Sequence, residues 1–130
     1  MAMLRHAVRY QLPAVLWAIV IFVASSIPAT KLPRFSMMFN DKLVHAAIFF
    51  IFGLLVYRAL TSRSAPDRFD WTRLFISVSA VIIYGLSDEI HQGFVPGRTV
   101  DVLDAMADAA GGLLAAGVIY FNLRRKRPVE

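Results

Sequence analysis

The sequence predicts an all-α, polytopic membrane protein, an antiparallel bundle of four transmembrane helices. Three observations lead there. Hydrophobic residues make up 58% of the 130-residue chain and its mean hydropathy is +0.58, more apolar than an ordinary soluble domain. Apolar runs near the ~20 residues that a helix needs to cross a bilayer recur four times, at about 11–28, 43–60, 74–92 and 100–123. Basic residues gather in alternate connecting segments, as a multi-pass topology requires. A single domain over 1–130 is expected.

The first span starts after Arg5, His6 and Arg9 and follows the apolar run Leu12 to Ile27, closing at Ser25-Ser26-Ile27-Pro28. The run is slightly short, so Tyr10, Gln11 and the Pro28 turn are expected at the interfaces. A cleaved signal peptide is the competing reading, because a basic start, an apolar core and Ala24-Ser25-Ser26 fit that pattern as well. Residues 29–42 read as a loop, with an interfacial piece around Phe35-Ser36-Met37-Met38-Phe39. In the second span Asn40 or Asp41 suits the free amides and positive end of a helix N-terminus. Residues 61–73 form a polar loop whose Arg63, Asp67, Arg68, Asp70 and Arg73 are solvated topology signals. The third span turns polar only after Tyr84, and Gly93, Pro96 and Gly97 punctuate a tight turn before the fourth. Small residues at four-residue intervals in the fourth span, Ala107, Gly111 and Ala115 beside Ala105, Ala109, Gly112 and Ala116, allow close helix packing and leave a homo-oligomer contact open.

Charge sets the orientation. With the N-terminus inside, the cytoplasmic segments hold Arg5, Arg9, Arg58, Arg63, Arg68, Arg73, Arg124, Arg125, Lys126 and Arg127, and the outer ones only Lys31, Arg34, Lys42 and Arg98. Both termini are therefore expected in the cytoplasm. A net charge of +5 is explained by that asymmetry, and nucleic acid is not an expected partner. There is no cysteine, which excludes disulfides, thiolate metal centres and cysteine nucleophiles.

The chemistry collects on the outer side. Asp41 and His45 share one helical face with Lys42 beside them. Tyr84, Asp88 and His91 or Gln92 form a stripe on the third span, where Glu89 reaches Gln92 at i+3; Asp101, Asp104 and Asp108 follow i, i+3, i+7 on the fourth. Three helices thus bring carboxylates, His45, Gln92 and Arg98 to one membrane depth. Buried carboxylates need partners, since an unpaired buried ion costs several kcal/mol. Lys42, Arg98, the histidines, protonation or a divalent cation would each serve. The nearest catalytic candidates are His45, Glu89 and Asp104, with carboxylates as base and His45 as proton carrier. No zinc-protease helix, serine nucleophile elbow or phosphate-cradling glycine loop is present. Ser87 reads as a helix-face hydroxyl.

From Ser26 to about Gly117 the chain resembles the VanZ-like family of small bacterial membrane proteins. The resemblance rests on Asp41-Lys42 followed by His45 and Gly53, Glu89 with Gln92, Pro96-Gly97-Arg98, Asp101, Asp104 and Gly111. In that pattern an Asn commonly stands where this chain has Asp108, so an ionisable group replaces an amide donor. The resemblance implies a bacterial inner-membrane protein linked to lowered susceptibility to glycopeptide antibiotics such as teicoplanin. The expected site is an outer-side polar pocket of Asp41, Lys42, His45, Glu89, Gln92, Arg98, Asp101, Asp104 and Asp108. It would engage membrane lipid or a lipid-linked cell-wall precursor, with Arg98 and Lys42 on phosphate or carboxylate. A hydrolase or transferase acting on a lipid-linked phosphate, and a non-catalytic scaffold or transporter component, are the alternatives.

Overall fold

A computed structural model describes residues 1–31, 38–60 and 68–125. All of its regular elements are helical. Helix α1 (Ala2–His6) passes through a π-helical turn at Ala7–Gln11 into α2 (Leu12–Ser25), followed by α3 (Met38–Ala59), α4 (Trp71–Gln92) and α5 (Val102–Arg125). Four stretches are long and apolar enough to cross a membrane: Met3–Ser25, Asp41–Ala59, Trp71–Gln92 and Val102–Arg125. The first is longer than the apolar run suggested, because helix continues back through Arg9 and His6. The expected interfacial piece is divided, with Met38 and Phe39 opening α3 and residues 35–37 outside the described residues. Arg34, Arg63, Asp67, Lys126 and Arg127 also lie outside them.

The π-helical turn answers to Pro13. Proline has no N–H to donate to the carbonyl four residues back and crowds that carbonyl, so the preceding turn widens. The carbonyl in question is that of Arg9, and Arg58 Nη2 donates to it at 3.2 Å. A cation from α3 thus replaces the donor that proline lacks.

Consecutive spans alternate in direction. Ser25 at the end of α2 meets Asp88 near the end of α4, while Lys42 near the start of α3 meets Asp104 in the first turn of α5. One end of the bundle therefore gathers the ends of α2 and α4 with the starts of α3 and α5. In the middle, Ile21, Phe49, Phe52 and Val81 form a core flanked by Trp17, Ile48, Val56 and Tyr84. Trp17 Nε1 donates to Ile48 O at 3.1 Å and Tyr84 OH to Ala18 O at 2.6 Å, so Tyr84 ties α4 to α2 below the acidic stripe. Towards the other end Tyr57, Phe69, Leu74 and Ile119 pack together.

Lipid offers little hydrophobic drive for helix association, so close packing and hydrogen bonds must supply it. Helices α3 and α5 achieve that approach through glycine. A Cβ at Gly111 would stand 2.2 Å from Ala46 O, and one at Gly53 would stand 2.9 Å from Ala115 Cβ. The small-residue face of α5 is accordingly occupied within the bundle. The outward residues of α2, among them Val15, Leu16, Ile19, Val20 and Val23, are exposed and apolar, as a lipid-facing surface requires.

Candidate functional site

The acidic end is assembled by local rules at each helix terminus. Asp101 precedes α5 and caps it, its Oδ1 accepting from Leu103 N at 2.8 Å. Between α4 and α5 the chain turns at Val95-Pro96-Gly97-Arg98, where Arg98 N donates to Val95 O at 3.0 Å. Gly97 has φ +76°, so proline and glycine occupy the second and third positions of a type II turn. That turn returns Arg98 to the end of α2. Arg98 Nε donates to Ile27 O at 3.3 Å, Nη2 to Ala24 O at 3.4 Å and Nη1 to Gln92 Oε1 at 3.1 Å. A guanidinium beside the C-terminal end of α2 opposes the negative end of the helix dipole.

Behind Arg98 most of the polar groups are linked through Asp101, and His45 with Asp108 forms a separate pair. Asp88 Oδ2 accepts from Ser25 Oγ at 2.8 Å and Gln92 Nε2 at 3.0 Å. Gln92 Nε2 also approaches Glu89 Oε1 at 3.4 Å, and Glu89 Oε2 accepts from Asp101 N at 3.0 Å. From Asp101 the network continues to Lys42, whose Nζ bridges Asp101, at 2.5 Å, and Asp104. His45 Nδ1 lies 2.9 Å from Asp108 Oδ1, which accepts its hydrogen bond. Asp88, Glu89 and Asp108 are only 4%, 2% and 0% exposed, whereas Asp41 is at the surface. Outside the spans, the Lys42 ammonium and the Leu103 amide hold the Asp101 carboxyl below its ordinary range.

The structure brings together Lys42, His45, Glu89, Gln92, Arg98, Asp101, Asp104 and Asp108, with Asp41 at the rim, where it lies near His45 and Asp104. Three details depart from the sequence reading. Asp41 falls inside the first turn of α3, because the helix begins at Met38 and the cap position lies earlier. Asp101 stands before its helix rather than on its stripe. His91 leaves the site, stacking on Phe22 with ring centroids 4.5 Å apart and reaching Ser26 Oγ at 2.9 Å through Nε2. The Ser26 hydroxyl is donated to Phe22 O, so His91 is the donor of that bond.

Sequence reasoning missed Ser25, which makes α2 a fourth contributor. The signal was a pair of serines closing an apolar run, directly before the Pro28 turn. Ser87, by contrast, donates to Tyr84 O at 2.8 Å, the helix-face role expected of it.

The fold and the buried acidic cluster define a class: a polytopic helical membrane protein with an ionisable site sunk into one end of its bundle. The family model described as VanZ/LLP1 matches residues 10–124, and the chain belongs to that family. No curated protein and no solved structure matches the chain.

Proposed function

We propose that the acidic end opens on the extracytoplasmic face of a bacterial inner membrane and binds a phosphate-bearing envelope lipid or lipid-linked cell-wall precursor through Arg98. One observation carries the reading. Among the described residues Arg98 has no carboxylate within ion-pair distance, while Lys42 is spent on Asp101 and Asp104. Its guanidinium is fixed by Ile27 O, Ala24 O and Gln92, and further N–H groups remain for an anion. Lys42 is therefore dropped as a second anion contact. Buried Asp88 and Glu89 orient Arg98 through Gln92. The basic residues at the opposite end support the orientation, and an envelope ligand accords with the link of similar proteins to glycopeptide susceptibility.

The test is mass spectrometry of lipids that co-purify in mild detergent. A phosphate-bearing lipid present with wild-type protein, lost with Arg98→Ala and kept with Arg68→Ala is the expected outcome. Equal loss in both variants overturns the assignment.

A second reading rests on the His45···Asp108 hydrogen bond of 2.9 Å. A histidine held by a buried carboxylate, with Glu89 close by, is an arrangement for proton transfer. It fits a hydrolase or transferase acting on a lipid-linked phosphate. Asp104, paired with Lys42, is the weakest of the catalytic candidates. Phosphate release from a polyprenyl phosphate that disappears in His45→Gln supports this reading, and no release by the wild type removes it.

A further inference from the structure

Asp88, Glu89 and Asp108 are almost wholly buried, yet among the described residues no Lys or Arg lies within ion-pair distance of any of them. Asp88 has two neutral donors and Glu89 accepts from the Asp101 amide and, weakly, from Gln92. Asp108 is served on one side only. Its Oδ1 meets His45, while its Oδ2 is buried and without a partner among the described residues. That free oxygen looks towards α4, 3.1 Å from the place where a Cβ of Gly85 would stand. Glu89 lies one helical turn further along α4. A ring nitrogen of His45, a carboxylate oxygen of Glu89 and one of Asp108 all fall within 4.8 Å of one another.

We infer that His45, Glu89 and Asp108 form a binding site for one divalent first-row cation, Mn²⁺ or Zn²⁺ in class. One such ion supplies two positive charges where uncompensated carboxylates each cost several kcal/mol, and it gives the orphaned Asp108 oxygen a partner. Imidazole with two carboxylates suits these metals better than Ca²⁺ or Mg²⁺, which favour sets made of oxygen alone. Donors bonded at ~2.1 Å in a tetrahedral centre stand about 3.4 Å apart, a spacing that donors already within 4.8 Å of one another reach by side-chain adjustment. Three protein ligands leave a position for water or an exogenous oxygen. A competing trio, Asp41, His45 and Asp104, shares the histidine, but Lys42 already holds its Asp104 and its Asp41 faces out. Asp108 is thus the residue that makes the site, and it stands at the position where the VanZ-like pattern commonly has Asn. The inference does not depend on the lipid reading, because its test uses the metal alone.

The experiment strips detergent-purified protein with a chelator, then titrates Mn²⁺ with the free ion followed by electron paramagnetic resonance. Zn²⁺ retained after dialysis is measured by elemental analysis. One equivalent per chain is expected for wild type, with affinity at least ~10-fold weaker in Glu89→Gln and Asp108→Asn, the loss that even outer-shell changes produce at metal sites. Asp70→Asn, at the other end of α4, should bind as wild type does. Glu89→Gln keeps the shape of the side chain and an oxygen for the Asp101 amide, so it decides the matter if Asp108→Asn does not fold. Wild-type protein that takes up neither ion, or Glu89→Gln that binds as tightly as wild type, overturns the site.

Discussion

The two ends of the bundle are held by different physics. At the acidic end the polar side chains are held by named partners: Ser25 to Asp88, Lys42 to Asp101 and Asp104, His45 to Asp108, Arg98 to Ala24 O and Ile27 O at the end of α2 and just beyond it. At the opposite end Tyr57, Phe69, Leu74 and Ile119 pack mainly by filling space, the Tyr57 hydroxyl alone of them accepting a long hydrogen bond, from Asp70 N at 3.4 Å, with Trp71 and Tyr120 against Phe69 and Arg124 lying 5.1 Å from the Tyr120 ring. Apolar filling tolerates exchange among residues of similar volume. A buried polar network does not, because one lost partner strands another polar group. The acidic end carries more specificity than a bundle needs in order to stay folded, and that excess argues for a ligand there.

The largest expected effect tests what both ends share, the close approach of α3 and α5. Gly111→Leu would drive a side chain into Ala46 O and should cost about 3 kcal/mol or more, read as loss of monodisperse protein on heating in detergent. Gly117, whose Cβ would meet nothing within 4 Å among the described residues, gives the contrast. Gly117→Leu should leave thermal stability near wild type, and comparable damage from both changes would refute the close-approach argument. Next comes the comparison of the ends themselves. Asp104→Ala leaves Lys42 with Asp101 alone and should cost roughly 2 kcal/mol, below the 3–5 of a fully buried pair. Adding Lys42→Met should recover part of that loss. Leu74→Ala at the apolar end should cost a similar amount through the cavity it leaves, and no second substitution of a charge should repair it. A double variant no more stable than Asp104→Ala would show that the two ends do not differ in this way.

Much of this was legible in the sequence, for identifiable reasons. Hydropathy marks four spans because lipid demands them, and helical periodicity places Asp104 with Asp108 and Glu89 with Gln92, because those spacings lie within one helix. What periodicity cannot specify is which neighbour a face meets. The pairing of His45 with Asp108 rather than Asp41, and of Lys42 with Asp101 and Asp104 rather than with a ligand, depends on helix packing set by Gly111 and Gly53. Helices α3 and α4 start at Met38 and Trp71, a few residues before the apolar runs at about 43 and 74, because apolar content says little about backbone ends. Asp70 illustrates it: read as a solvated loop charge, it caps α4 by accepting from Thr72 N at 2.8 Å and Arg73 N at 3.3 Å. Ser25 escaped because a pair of serines closing an apolar run does not name its partner until Asp88 is placed opposite it.

The smallest expected effect separates the ends by pH. Asp101 lies outside the spans, and its carboxyl is held below its ordinary value of 3.8, first by the hydrogen bond from Lys42 and then by that from Leu103 N. A group whose folded value is depressed binds protons more readily in the unfolded chain over that interval, so folding is favoured while the carboxyl stays charged. The stabilisation is fully present above the ordinary carboxylate range and fades as pH falls through the depressed folded value. Asp101→Asn keeps a capping oxygen for Leu103 N but gives up the charge that Lys42 answers. In melts recorded from neutral to strongly acidic pH, the variant should therefore start slightly less stable and lose less on acidification than wild type. Leu74→Ala should lower every melt by the same amount across that range. If Asp101→Asn ran parallel to wild type throughout, the Lys42 bridge would contribute nothing at this residue, and the acidic end would owe its order to the buried groups alone.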